Sequence, residues 1–372
     1  MYCKRIKVEN FRNIAFADVE LCKGVNILLG ENAQGKTNLL ESIYMTSLGK
    51  SFRAGVDRDV IRFGENYAKI ENTYFDGVRD TRVAMSIFSD RRPKQIEQNG
   101  VKIRRTADIV GGFKIVLFCP EHLSIVKEGP AERRGFLDVA LSQIRPMYMR
   151  SLQRYAEILK ERNALIKSAQ SDRASFNATI DVFSDQLARE AAVITGYRVK
   201  YADQLKKYVA ECFSDMTGGR ETPTLEYISS SKLSEVDCFD QKKCYESYLE
   251  LYSAHHEREI AAESTLWGIH KDDLEIYLDG NRARIFASQG QQRSLSLALK
   301  LAEGEIIRVD SAGAYPVFLF DDVLSELDAG RRSYLLSNLQ DKQVIMTSCE
   351  KKDVIGDRII GVSGGEFAEI EV

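Results

Sequence analysis

The chain has 372 residues, 44% of them hydrophobic and 29% charged, with a formal net charge of −3. That composition suits a globular protein with room for two domains or one domain with a large insertion. It carries no run of apolar residues long enough to span a bilayer, and its slightly acidic balance does not by itself announce a nucleic-acid binder.

Lys4, Arg5 and Lys7 interrupt any signal-like stretch at the start. The seven cysteines are scattered without a CxxC pair, and only four histidines occur. Both facts point to reduced thiols in a cytoplasmic protein, not to a zinc centre or a disulfide frame. In chain order, "KRIKVENF", "IAFADVEL" and "GVNILL" read as strands, and "KTNLLESIYMTSLG" as a helix stopped by Gly49. Residues 67–104 read as an antiparallel meander that turns at Asn99-Gly100, followed by the buried strand "FKIVLF". From about Pro130 to Glu263 helical patterns dominate, broken at Gly218-Gly219 and "TPTLEYI", with no sustained heptad seam. β-structure returns in "DDLEIYLDGNRARIF", with a second tight turn at Asp279-Gly280. The helix "QQRSLSLALKLAEGEIIRV", the strand "PVFLF", a helix near 330–339, the strand "QVIMTS" and a last β piece complete the chain. The expected layout is a β-rich α/β domain built from both chain ends around a helical insertion. Its parts are 1–120, 121–265 and 266–372.

"GENAQGKT" fits G-x4-G-K-[ST] after a strand and before a helix, the context a phosphate loop requires. Gly30 and Gly35 permit the tight turn. The backbone of Glu31, Asn32, Ala33 and Gln34 surrounds the phosphates, Lys36 reaches them, and Thr37 offers its hydroxyl to Mg²⁺. "YPVFLFDDVLSELD" ends an apolar strand in Asp321 and Asp322. The first suits the Mg²⁺ shell, directly or through water, and the second suits orienting the attacking water or accepting its proton. Ser288, Gly290 and Gln291 stand where "FASQGQQRSLSLALK" becomes a helix. On its own this is an ordinary helix start, equally an N-cap or an anion site.

The order of these motifs resembles the ATP-binding-cassette ATPases: phosphate loop, helical lobe, signature, acidic strand, then "SELD". Six stretches narrow the match: "KVENFRNIAFADVEL", "GENAQGKTNLLESIYMTSLGKSFR", "LFCPEHLSIVKEGPAERRGFLD", "GIHKDDLEIYLDG", "ASQGQQRSLSLALKLAE" and "FLFDDVLSELDAGRR". Together they resemble the RecF family of DNA replication and recombination-repair ATPases. The likeness runs nearly end to end and is weakest over about 160–250.

The resemblance implies an SMC-head-like ATPase without long coiled-coil arms. It further implies weak, DNA-stimulated ATP hydrolysis, and an ATP-dependent homodimer on duplex DNA near single-stranded gaps that works with RecO and RecR to place RecA. In the superfamily the signature faces the γ-phosphate held by the other subunit. That assigns Ser288, with Lys36, Asp321 and Asp322, to the reacting end of the nucleotide. By the same likeness Arg12 and Asn13 lie near the nucleotide, and Thr347 takes the place of a switch histidine. Cys119-Pro120-Glu121 stands where transporter cassettes carry a glutamine. "GIHKDD" departs from the family's usual "GPHRDD" at Ile269 and Lys271. His270 and Lys271 are therefore either phosphate contacts or, for His270, a buried structural group.

Candidate DNA contacts are Arg53, Arg58, Arg104, Arg105, Arg133 and Arg134, the last two with the alternative of bracing the lobes through a carboxylate such as Asp138. The cluster Arg91, Arg92 and Lys94 reads equally as a solvated face. Two other functions fit less of the sequence. A transporter engine lacks support from "SQGQQ", from the missing glutamine and from the large insertion. An anti-phage or SMC-like cassette without RecF partners is separated least.

Overall fold

Period-2 patterning makes β1 (Tyr2–Phe11) and β2 (Ile14–Glu20) antiparallel partners, while β3 (Val25–Leu29) is an unbroken buried run. These elements come from a computed structural model that describes residues 1–90, 92–349 and 356–370; Arg91 lies outside the described residues. After β3 the chain enters α1 (Lys36–Leu48), capped by Gly49 at φ 71°. The meander follows as β4 (Tyr67–Phe75), β5 (Asp80–Phe88), β6 (Gln95–Gln98) and β7 (Val101–Ile103), then β8 (Ile115–Phe118). Asn99 and Gly100 take φ of 51° and 79°, as a two-residue hairpin turn demands. The first sheet has the order β2-β1-β4-β5-β6-β7. Its outer face alternates charges that pair across strands, such as Arg5–Asp18 at 2.6 Å and Arg82–Glu71 at 2.5 Å.

The middle of the chain opens with α2 (Ser124–Lys127), α3 (Pro130–Ile144), α4 (Pro146–Ser168) and the 45-residue α5 (Arg173–Thr217). At 1.5 Å per residue α5 is about 67 Å long. Its buried stripe runs from Phe176 through Ile180, Leu187, Ala191, Ala202, Leu205 and Val209 to Phe213. The repeat averages about 3.7 residues, above the 3.5 that would drive a left-handed supercoil. Length alone therefore does not make α5 a coiled coil. β9 (Pro223–Ile228), α6 (Gln241–Ala254), α7 (His256–Ala261), β10 (Asp273–Leu278), β11 (Asn281–Arg282) and α8 (Ala283–Phe286) follow. β9 and β11 flank β10 in a three-stranded antiparallel sheet. Arg162 lies fully buried, with Nη2 2.6 Å from Glu259 Oε2, Nη1 2.8 Å from Thr265 Oγ1, and its guanidinium 4.7 Å from the Tyr252 ring centroid.

The chain then runs through α9 (Gln289–Asp310) to β12 (Val317–Phe320), α10 (Ala329–Asn338), β13 (Val344–Ser348), β14 (Arg358–Ser363) and β15 (Glu366–Glu369). The second large sheet, β15-β14-β3-β13-β12-β8, is parallel except at β15. Its central strands are largely apolar because both faces are covered, with Asn26 in β3 and Thr347-Ser348 ending β13 as the polar exceptions.

The structure separates into two units, Met1–His122 with Ser296–Val372, and Leu123–Leu295. The expected boundary at 265/266 thus moves to 295/296. The reason is β9: "PTLEYI", read only as a break between helices, is a strand, and its pairing with β10 retains β10 and β11 in the second unit. No described helix is long and apolar enough to cross a membrane.

Candidate nucleotide site and signature segment

Sheet order alone brings the phosphate loop and the acidic pair together. β3 and β12 are parallel neighbours of β13, so the loop after Leu29, the Thr347-Ser348 end of β13 and the carboxylates after Phe320 emerge at one edge. Thr37 Oγ1 donates to Asp321 Oδ1 at 2.7 Å, across a sequence separation of 284. The Thr347 hydroxyl donates to the same oxygen at 3.1 Å and accepts the Asp322 N–H at 2.8 Å. Burial pushes the Asp321 carboxyl above its ordinary value, against the hydrogen bonds from Thr37 and Thr347 and the nearby Arg53 charge. A buried acid with that tendency, beside a hydroxyl, is a donor set suited to a hard divalent cation.

The loop itself is tightly built. Gly35 has φ 114°, and a Cβ there would meet Asn13 Oδ1 at 2.9 Å; a Cβ on Gly30 would meet the Val362 carbonyl at 2.2 Å. Ala33 is left-handed at φ 65°, as are Arg12 at 55° and Asp322 at 51°. Three such non-glycine residues around one loop are strain held by their surroundings. Lys36 is buried, and its ammonium donates to the carbonyls of Gly30 at 2.6 Å and Glu31 at 2.7 Å. Cys349 Sγ lies 3.3 Å from Lys36 Nζ and donates to Asn32 Oδ1 at 2.9 Å. Gln34 is held by the turn after β14, accepting the Gly364 N–H at 2.5 Å and the Gly365 N–H at 2.9 Å.

Asn13 touches the loop, its amide 3.4 Å from the Ala33 carbonyl, and accepts from Asn38 at 2.8 Å. Arg12 is engaged differently: both Glu41 oxygens accept from it, at 3.0 and 2.7 Å, and Asp59 O accepts at 2.8 Å. Glu41 escaped the sequence reading. Its one signal is an acid in the midst of the apolar helix "NLLESIYM".

The six arginine candidates separate. Arg53 reaches α1, donating to Asn38 Oδ1 at 3.2 Å. Arg58 and Arg104 are exposed and form no ion pair among the described residues, whereas Arg105 pairs with Asp108 at 3.0 Å. Lys94 ties this region together, bonding the Gly49 carbonyl at 2.5 Å and Asp57 at 2.8 Å, and Thr106 packs over Gly49. Arg133 is a correction. It is 1% exposed and makes a bidentate pair with Asp273 at 2.7 and 2.8 Å, so it has no surface to offer DNA. Arg134 is half-buried and donates to the Asp272 carbonyl at 2.8 Å. Asp138 instead receives Arg198, at 2.8 Å.

Ser288, Gly290 and Gln291 belong to the second unit, where Ser288 and Gln291 cap α9 reciprocally. Ser288 is exposed. His270 is a structural histidine: Nδ1 lies 2.7 Å from the Tyr155 hydroxyl and Nε2 3.2 Å from the Thr265 carbonyl. A carbonyl only accepts, so Nε2 carries the proton and Nδ1 accepts from Tyr155. Burial, with the Lys271, Arg134 and Arg162 charges, lowers His270 from 6.5 to about 4. The unfolded chain therefore binds a proton that the fold refuses. Stability from this group is whole above pH 6.5 and is lost as pH falls towards 4, by up to about 3 kcal/mol. Urea unfolding at a series of pH values should show a shallower acid-side loss in His270→Gln than in the natural chain.

The model of the RecF/RecN/SMC N-terminal domain matches residues 2–366. The DNA replication and repair protein RecF of Staphylococcus carnosus (strain TM300) is 41% identical over 342 residues, covering 92% of this chain and 91% of its own. The protein of the same name from Bacillus subtilis (strain 168) is 35% identical over 364 residues, covering 98% and 97%. A solved structure of the recombination mediator protein RecF with ATP, in the RecFOR pathway, superposes with TM-score 0.91 at 33% identity, over 99% of both chains. An Smc head domain from Pyrococcus furiosus, with TM-score 0.59 at 17% identity, shares the fold alone. On this evidence the chain belongs to the RecF family of DNA replication and repair proteins, built on the ABC-type, SMC-head-like ATPase fold.

Proposed function

We propose that this chain binds ATP in the Gly30–Thr37 loop and closes into a homodimer. In it the Ser288 hydroxyl, the Gly290 backbone and Gln291 of one copy meet the γ-phosphate held by the other. The observation that carries the reading is the Thr37–Asp321 hydrogen bond at 2.7 Å, which joins the phosphate loop to the acidic strand beside the buried Lys36. Lys36 exchanges its bonds to the loop carbonyls for bonds to phosphate oxygens. Thr37 and Asp321 are the residues that would hold Mg²⁺, which offsets phosphate charge when bound. Asp322, exposed and fixed by its N–H on Thr347, orients the attacking water.

The dimer binds duplex DNA beside single-stranded gaps and, with RecO and RecR, helps place RecA. Weak, DNA-stimulated hydrolysis resets it. Arg58 and Arg104, with Arg53 and Arg105 nearby, are the contacts this reading assigns to the DNA backbone. One chain offers few phosphate contacts, and two copies double them. Affinity therefore rises steeply with dimerisation and falls with salt. The test is light scattering at micromolar protein with and without ATP and Mg²⁺, followed by titration of gapped duplex at several salt concentrations. A doubled mass with ATP, and DNA binding that follows it, is the expected result. An unchanged mass, or equal DNA affinity with and without ATP, would defeat the reading.

A further inference from the structure

The start of α9 is closed by its own side chains. The Ser288 hydroxyl accepts from the Gln291 N–H at 3.3 Å, and the Ser288 N–H donates to Gln291 Oε1 at 2.6 Å. The proposed function presents this hydroxyl and Gln291 to a partner's phosphate, and the Ser288 N–H is a further donor of the same helix end. The far side of the same amide is also held: Gln291 Nε2 donates to Glu221 Oε1. Glu221 stands between α5 and β9, and both neighbours are fixed. Arg220 Nε donates to the Thr217 carbonyl at 3.0 Å. The Thr222 N–H donates to Asp279 Oδ1 at 2.8 Å, and the Thr222 carbonyl accepts the Asp279 N–H at 3.0 Å. Glu221 is thus an anchored carboxylate, and Gln291 cannot rotate away from Ser288 without breaking a charge-assisted hydrogen bond.

We propose that Glu221 and Gln291 form a latch on the signature segment. In the single chain it withholds the Ser288 N–H and holds the Gln291 side-chain amide on Glu221, while the Ser288 hydroxyl, which only accepts there, keeps its proton to donate. It also sets a negative charge close to where the anion of a second copy must dock. The device opens when phosphate delivered by that copy competes for the Ser288 N–H and the Gln291 amide, so the signature engages a loaded partner and ignores an empty one. Ser288 is exposed, and so are Ile285 and Phe286 just before it, at 58% and 69%. The segment is therefore open to a second molecule while the Ser288 N–H and the Gln291 amide are internally held. This inference rests on the trans arrangement proposed above.

The size of the effect follows from population shift. If the open form makes up about one fifth of the molecules, each opening weakens docking about fivefold. A symmetric dimer opens two latches, so its dissociation constant carries the square, about 25-fold.

Two substitutions test this. Glu221→Ala removes the anchor, and Glu221→Gln keeps an acceptor for Gln291 Nε2 but removes the charge. Hydrogen exchange at the Ser288 amide, followed by mass spectrometry without nucleotide, should quicken about fivefold in Glu221→Ala and less in Glu221→Gln. Light scattering with ATP and Mg²⁺ should show a dimer about 25-fold tighter in Glu221→Ala. Unchanged exchange overturns the latch whatever the dimer does. Faster exchange with an unchanged or weaker dimer overturns its regulatory role. A natural chain that never dimerises with ATP sinks the trans arrangement instead, and the exchange measurement still decides whether Glu221 holds Ser288 closed.

Discussion

Lys36→Met is expected to lower ATP affinity by about a thousandfold, whereas Ser288→Arg leaves it within about twofold of the natural chain. The lysine supplies charge-assisted donors to phosphate oxygens. Losing two such bonds to a phosphate costs about 4 kcal/mol of binding. The proposed function has Ser288 serve a partner's nucleotide, so a bulky cation there leaves nucleotide held by its own chain's Lys36 in place. It should instead abolish the ATP-induced dimer and with it ATP-dependent DNA binding, although every basic side chain remains. Titration with a fluorescent ATP analogue, run beside light scattering, separates the two effects. Equal loss of ATP affinity in both variants would mean that the signature serves its own chain's nucleotide.

Glu259→Ala is expected to cost about 3–5 kcal/mol of stability, because it leaves the Arg162 guanidinium buried and uncompensated. The pair is wholly enclosed, 2.6 Å apart, and Glu259 also accepts the Leu266 N–H at 3.1 Å. That cost is a large part of a typical domain's 5–15 kcal/mol. Replacing both members by methionine should recover much of the loss, since desolvating two charges offsets most of what their attraction contributes. Urea midpoints of the single and double variants check this. A double variant no more stable than Glu259→Ala would show that shape, not charge balance, dominates the site.

Local patterns were legible where chemistry is local. The phosphate loop, both tight hairpin turns and the apolar strands before Gly30 and Asp321 follow from composition and period, and all lie where those patterns place them. What the sequence conceals is pairing at a distance. Nothing in "ERRG" indicates that Arg133 will find Asp273, nor does "FRN" show that Arg12 will clasp Glu41. β9 was unreadable for a related reason: Pro223 and the two glycines before it look like an interruption until β10 supplies the other half of the ladder. His270 shows the same limit from the other side. Its motif permits a ligand role, and only the enclosing Tyr155 and Thr265 groups decide for a structural one.

The parallel sheet of the first unit also constrains when this protein can come into being. β3 is finished by Leu29, yet both strands between which it lies, β13 and β14, come after residue 343. At 5–20 residues per second a ribosome takes roughly 15 to 60 s to cover that stretch. For that interval the nascent chain holds a strand with no mate and a phosphate loop without Asp321 beside it. The second unit, continuous from Leu123 to Leu295, has all its own partners long before then. The order of maturation therefore runs from the middle of the chain outward in sequence: the second unit is complete first, and the sheet of the first unit is closed last. A truncated product that stops before residue 317 would carry a folded second unit and a β3 without either of its neighbours.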